Sequence, residues 1–245
     1  MRGLGQPYTV RMRLLTIRFT PYILCVALAG CGSVPPVDVA DFGAPTLSGR
    51  MAVRNFIKVV ETVEPIVEAT CRERAPQLNC DFRIVVDDRK GAPPNAFQTR
   101  DDTGRPIIAF TIPLIAIARN IDELAFIMAH EAAHHIQGHI ERQNQSALIG
   151  ARIVGGLASV FSAGSESTVR AGAQLGARIG ARTYSKTFEL EADALGAMMA
   201  AQAGYDPVRG ADFFLRIPDP GNKFLGTHPA NADRQATVQA VASQL

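Results

Sequence analysis

The segment Ile127-Met-Ala-His130-Glu131-Ala-Ala-His134-His135 carries the residue types of this 245-residue chain best suited to chemistry. Four residues turn an α-helix by about 400°, so on a helix His130 and His134 stand one turn apart on the same face. Two imidazoles so placed can share one cation, while Glu131 points beside them at an open coordination position. Zinc held there would lower the pKa of a water to about 7, and a neighbouring carboxylate could take its proton as it attacks a carbonyl. The motif is embedded among Leu124, Phe126, Ile127, Met128, Ala132 and Ala133, where bare charges are costly; this favours a metal over a solvated His/Glu patch. On the same wheel His135 and His139 fall about 140° and 180° from His130, which excludes them as ligands and leaves them as packing or surface histidines.

A catalytic zinc takes three protein ligands, so one more is needed. Phe188-Glu189-Leu-Glu191-Ala-Asp193 offers two glutamates. Glu189 and Asp193 are one helical turn apart, so Glu189 can bind metal while Asp193 holds a ligating His through its other ring nitrogen. Glu191, two positions from either, faces away.

Together these motifs resemble metallopeptidase family forty-eight, the group of HtpX and the CAAX prenyl proteases, and most of all its soluble lipoprotein and periplasmic members. That family's pattern is His-Glu-x-x-His, then Glu-x-x-Ala-Asp, then a Thr-His-Pro loop followed by Arg. It is reproduced by His130–His134, Glu189–Asp193 and Thr227–Arg234. Pro94-Asn95-Ala96-Phe97 resembles the start of the family's edge strand, and the likeness runs over residues 48–243. Ala133 stands where many members have Gly, and Lys186 where many have Arg. The resemblance implies His130, His134 and Glu189 as ligands of one zinc per chain, Glu131 as the base and Asp193 behind a ligand. It also brings His228 to the metal site. There His228 either takes the fourth zinc position and restrains the enzyme, or stabilises the oxyanion with help from Arg234. The implied fold is α+β: a mainly helical zincin with a small antiparallel sheet whose edge strand faces the cleft and binds substrate as an added strand. The implied activity is zinc-dependent endopeptidase cleavage of misfolded or unassembled envelope proteins, a quality-control role. The alternative is a non-proteolytic zinc-containing chaperone or assembly factor, against which the intact Glu131 argues. A deformylase would need a cysteine ligand, and the cysteines are otherwise engaged.

The elements that must position these groups can be read around them. Val53, Phe56, Val60, Val63 and Val67 recur at helical spacing across residues 48–74, with Pro65 as a kink. Asp81–Asp88 alternates as a strand, and Asp101-Asp-Thr-Gly104 between Asn95–Thr99 and Arg105–Thr111 signals a hairpin. The motif helix spans Ile121–Glu141, with Asn120 as N-cap and Glu123 in a capping-box variant. Residues 146–182 are rich in Ala and Gly and predict closely packed helices with a turn near Ser162–Ser167. Arg152 and the glycines interrupt their apolar run short of a membrane span. A helix over Thr187–Ala203 ends at Gly204, and shorter helices over Pro207–Ile217 and Ala230–Ser243 bracket the loop of Thr227-His228-Pro229.

The N-terminus reads as an address. Basic residues precede the apolar run Tyr22–Gly30, and Leu28-Ala29-Gly30-Cys31 resembles a bacterial lipobox, in which the Cys is acylated after cleavage just before it. Residues 1–30 are then a signal peptide, 31–47 a Pro-containing tether and 48–245 the peptidase domain. The same resemblance implies that Cys31 takes the lipid and that Gly32 after it is the default for outer-membrane sorting. The expected location is the periplasmic side of a bacterial envelope, lipid-anchored, with peptides or unfolded proteins as partners. Cys71 and Cys80, an even pair in an exported protein, predict a disulfide. The net charge of +2 becomes −2 once Arg2, Arg11, Arg13 and Arg18 leave with the signal, which excludes a nucleic-acid partner.

Overall fold

Thirteen residues of the motif helix lie out of solvent, and the other elements are laid around it. The computed structural model describes residues 47–183, 185–217 and 229–245, all within the unit Pro36–Leu245. Helix α1 (Gly49–Arg74) starts where the Ser48 hydroxyl accepts from the Met51 amide, and it continues through Pro65 as one helix. Its buried face is Ala52, Phe56, Val59, Val63 and Val67. Val53 is exposed and Val60 only half-buried, so the apolar stripe is rotated from the expected one. Val59 supplies the missing position, because the valine-rich stretch contains apolar residues on two adjacent faces and packing selects one. Cys71, at the end of α1, is bonded to Cys80 (Sγ–Sγ 1.98 Å), which ties the helix to the chain entering the sheet.

The sheet has three strands, β1 (Arg83–Asp87), β2 (Ala96–Arg100) and β3 (Pro106–Thr111), in the order β1-β3-β2. The hairpin β2–β3 is antiparallel, as its Asp101–Gly104 turn requires. In that turn Asp101 Oδ1 accepts from the amides of Thr103 and Arg105, and Gly104 has φ +82°. Strand β1 runs parallel to β3, with Val85 opposite Ala109, so the sheet is mixed and not wholly antiparallel as expected. Alternation over residues 81–88 specifies a strand but neither its neighbour nor its direction; the hairpin places β2 on one side of β3, and β1 takes the other. This leaves β2 as an edge strand.

After the short helix α2 (Ile112–Ile117) comes α3 (Ile121–Ile136), the motif helix. Asn120 Oδ1 accepts from the Glu123 amide at 3.0 Å, and Glu123 Oε2 accepts from the Arg119 amide at 2.8 Å. The capping box therefore closes one residue earlier than its usual form. The helix stops five residues before the expected Glu141, because Gly138 takes a left-handed φ of +64° and redirects the chain into α4 (His139–Phe161).

Helix α4 and α5 (Glu166–Thr183) form a tight hairpin in which backbone meets backbone. A Cβ on Gly150 would fall 2.1 Å from the Gly176 carbonyl oxygen, and one on Gly180 would fall 2.1 Å from that of Ser146. The expected turn lies between them. Helix α6 (Ser185–Gln202) ends at Gly204, followed by α7 (Pro207–Ala211), a 3-10 turn (Asp212–Leu215) and α8 (Asn231–Ala242). The fold is mainly helical α+β, as the sequence implied. Among the described residues no helix is long and apolar enough to cross a membrane. Residues 1–46, with Cys31, and residues 218–228, with His228, lie outside the described residues.

Candidate metal centre

Three helices converge on His130. α6 crosses α3 so closely that a Cβ on Gly196 would lie 2.9 Å from both N and Cα of His130. That approach brings Glu189 and Asp193 of α6, one turn apart, against the two motif histidines of α3. α8 adds Arg234. Its first residue, Asn231, donates through Nδ2 to the Phe214 and Ile217 carbonyls (2.7 and 3.1 Å), which fixes the helix start.

His130 Nε2 and His134 Nε2 are 3.0 Å apart, and each is 3.6 Å from an oxygen of Glu189. The three donor atoms lie within 4.8 Å of one another. A tetrahedral ion with bonds of about 2.0–2.1 Å sets its ligand atoms roughly 3.3 Å apart, so the set fits one. Two neutral nitrogens and one carboxylate oxygen match the His₂Glu donor set of a catalytic zinc site, and a fourth position remains for a reactant. His130 Nδ1 donates to Asp193 Oδ1 at 2.9 Å, so its Nε2 is the nitrogen left for the ion. Asp193 is fully buried and gripped by both arms of Arg234, Nε to Oδ2 at 2.7 Å and Nη2 to Oδ1 at 2.6 Å. The Arg234 guanidinium lies 3.7 Å over the Phe214 ring and 3.5 Å from Glu189 Oε2.

Electrostatics follow from burial and these partners. Burial opposes charge on His130, but the hydrogen bond and charge of Asp193 outweigh it and raise its pKa. Burial, then the neighbouring His130, push His134 down to about 3, so it is a neutral imidazole able to ligate. For Asp193, burial is overcome by the hydrogen bonds from Arg234 and His130, and its pKa falls. Burial raises the Glu131 carboxyl above the ordinary range against opposing pulls from His130, Arg234 and the Gln98 backbone amide. That amide belongs to β2, so the edge strand runs beside the candidate base.

The sequence-derived set His130, Glu131, His134, Glu189 and Asp193 is thus brought together. Arg234 joins it on the far side of His130, with its guanidinium engaged by Asp193 and Glu189 rather than directed to a reacting oxygen. His228 lies outside the described residues. Four groups were not foreseen: the Gln98 amide, Gly196, and the pair His139 and Glu191. Glu191 stands outside the cluster of His130, His134 and Glu189 donor atoms, yet it does not face away from the site. Its Oε2 accepts from His139 Nε2 at 3.1 Å, and His139 Nδ1 lies 2.8 Å from His134 Nδ1. The helical wheel could not place His139, because Gly138 ends the helix before it; that glycine was the available signal. His135, in contrast, packs edge-on to Phe82 (5.3 Å) and donates from Nε2 to the Asn79 carbonyl at 2.8 Å, the packing role expected.

The model of peptidase family M48 matches residues 58–242. The chain is 31% identical over 242 residues to a putative beta-barrel assembly-enhancing protease of Vibrio cholerae serotype O1, covering 86% of this chain and 49% of that protein. It is 29% identical over 143 residues to a beta-barrel assembly-enhancing protease of Yersinia pestis, covering 51% of this chain and 28% of that one. The chain therefore spans about half the length, or less, of these relatives.

Proposed function

The chain belongs to peptidase family M48, and on that premise we propose that it is a zinc-dependent endopeptidase of the gluzincin type that cleaves unassembled or misfolded envelope proteins. The observation that carries the reading is the convergence of His130 Nε2, His134 Nε2 and a Glu189 oxygen within 4.8 Å, with the Glu131 carboxyl close enough to feel the charges of His130 and Glu189. The substrate class draws on the relatives, whose names tie them to beta-barrel assembly.

In this reading His130, His134 and Glu189 hold one zinc ion, which when bound supplies Lewis acidity to a water and to the scissile carbonyl. Glu131 takes the proton of the attacking water and passes it to the departing amine. Its burial, which makes the carboxylate more basic, suits both transfers. Asp193 holds the His130 ring in place, and Arg234 keeps Asp193 charged while its Nη2 approaches Glu189. The substrate pairs with the free edge of β2, beside which Glu131 lies, so that main-chain hydrogen bonds bring the scissile bond to the site with little demand on side-chain identity. Lipidation of Cys31 would tether the domain to a membrane facing the periplasm. Fatty-acid labelling of the wild type, lost in Cys31→Ala, checks the anchor.

Casein cleavage that depends on added zinc and disappears in Glu131→Gln tests the catalytic reading. Cleavage undiminished in Glu131→Gln would remove Glu131 as the base. Zinc binding without cleavage of casein or of an unfolded outer-membrane protein would favour the chaperone alternative.

A further inference from the structure

We propose that His139 is a positioning residue for the ligand His134, the middle member of a chain Arg142–Glu191–His139–His134 that sets which nitrogen of His134 meets the metal. The inference rests on the metal-site reading above. Each ligating imidazole has a carboxylate–arginine pair behind it. For His130 the pair is Asp193 and Arg234, in direct contact; for His134 it is Glu191 and Arg142, acting through a second ring.

The hydrogen-bond inventory leaves one assignment. Arg142 grips Glu191 through Nη1 to Oε2 at 2.5 Å and Nη2 to Oε1 at 3.2 Å, so Glu191 stands as a carboxylate with acceptors only. His139 Nε2, 3.1 Å from Glu191 Oε2, must then carry a proton and donate it. A neutral His139 consequently presents a lone pair at Nδ1. That lone pair faces His134 Nδ1 at 2.8 Å, so His134 must hold its proton at Nδ1. His134 Nε2 is left with a lone pair, and it is the atom that stands 3.0 Å from His130 Nε2 and 3.6 Å from Glu189 Oε1. With His139 neutral, any other tautomer would set two N–H groups or two lone pairs face to face between His139 and His134. The facing lone pairs this assignment leaves, His134 Nε2 and His130 Nε2 at 3.0 Å, are instead the two that a shared cation would satisfy.

The ring that relays this order is packed against Phe188. His139 is 4% exposed and lies flat on Phe188, with centroids 4.7 Å apart and planes at 12°. The Arg142 guanidinium covers the same Phe188 ring at 4.3 Å. The local cause is Gly138: its left-handed turn starts a new helix at His139, which returns that side chain to His134 instead of carrying it around the wheel. Helix α6 supplies both carboxylate supports, Glu191 and Asp193, along with the ligand Glu189, so one helix aligns all three donors.

The test compares wild type with His139→Phe, which keeps a flat ring for Phe188 but has no nitrogen, and with His139→Asn, whose carbonyl oxygen can accept from His134 Nδ1. Zinc affinity of each folded apoprotein is measured by chelator competition, alongside its Tm and the visible spectrum of its cobalt form. His139→Phe is expected to bind zinc about 10–100-fold more weakly with an altered cobalt spectrum, the loss usual for a group behind a ligating His. His139→Asn is expected to recover most of that loss. Zinc affinity and a cobalt spectrum unchanged in His139→Phe would overturn the inference, as would His139→Asn binding as weakly as His139→Phe at equal Tm. If His139→Phe does not fold, Glu191→Ala at the partly exposed end of the chain replaces it; weaker zinc binding supports the relay, and unchanged affinity overturns it. A wild type with no measurable zinc affinity would instead sink the metal reading on which the relay rests.

Discussion

Replacing Gly196 by Ala probes how the two ligand-bearing helices are held together. In an open helix the change would gain about 1 kcal/mol from propensity. Here the new Cβ would sit 2.9 Å from both N and Cα of His130 and 3.3 Å from the Ala129 carbonyl carbon, whereas ordinary contact begins near 3.4 Å. All three atoms are helix backbone and cannot rotate aside, so α3 and α6 must separate by about 0.5 Å at His130, an overpacking cost of about 2–3 kcal/mol. The net loss is about 1–2 kcal/mol, or roughly 2–8 °C in Tm for a domain of this size. The same displacement stretches the 2.9 Å bond from His130 to Asp193 and widens the 3.6 Å gap to Glu189. Zinc affinity should therefore fall about tenfold, as when a group behind a ligand is disturbed. Thermal melts of the apoprotein and chelator competition on the same samples read both effects. A Tm equal to or above wild type with unchanged zinc affinity would refute the close approach of α6 to His130.

Three further outcomes follow from the site and its supports. Glu189→Ala removes one of three donors and should abolish stoichiometric zinc in metal analysis, while Glu191→Ala, which keeps all three, should still load at saturating zinc. Arg234→Lys replaces a two-armed grip on Asp193 by a point charge and should lower zinc affinity about 10-fold or more, with the loss read by chelator competition. Thiol titration of the denatured protein should find neither Cys71 nor Cys80 free, and the double Ala variant should lose about 2–3 kcal/mol in denaturant unfolding, the amount expected for so short a loop.

Much of the centre was legible because its logic is local. His130 and His134, like Glu189 and Asp193, are four positions and so about one helical turn apart, with Glu131 next to His130, so the 3.6-residue period alone places each set on a face. The Asn120 cap, the Asp101–Gly104 hairpin, the turn between the glycine-rich helices and the end of α6 at Gly204 are likewise set by side chains acting on their own backbone. What the sequence could not supply is the meeting of distant segments. The parallel partner of β3 was misjudged, because alternation specifies a strand but not its neighbour. The buried face of α1 shifted to Val59 because several apolar faces were available and only the surrounding core could select among them. His139 was read by a wheel angle that holds only while a helix continues, and the φ of +64° at Gly138 ended one helix and began another. Glu191, on the unbroken α6, was read against Glu189 and Asp193 alone, and its partner His139 comes from a different helix. Arg234 needed the approach of α8 before its partner could be known. The residue types and periods of this chain determined which groups could bind a metal and move a proton. Close packing of α3, α6 and α8 decided which of them are aligned by others, because a hydrogen bond of under 3 Å across helices depends on how the backbones cross, and no local pattern encodes that crossing.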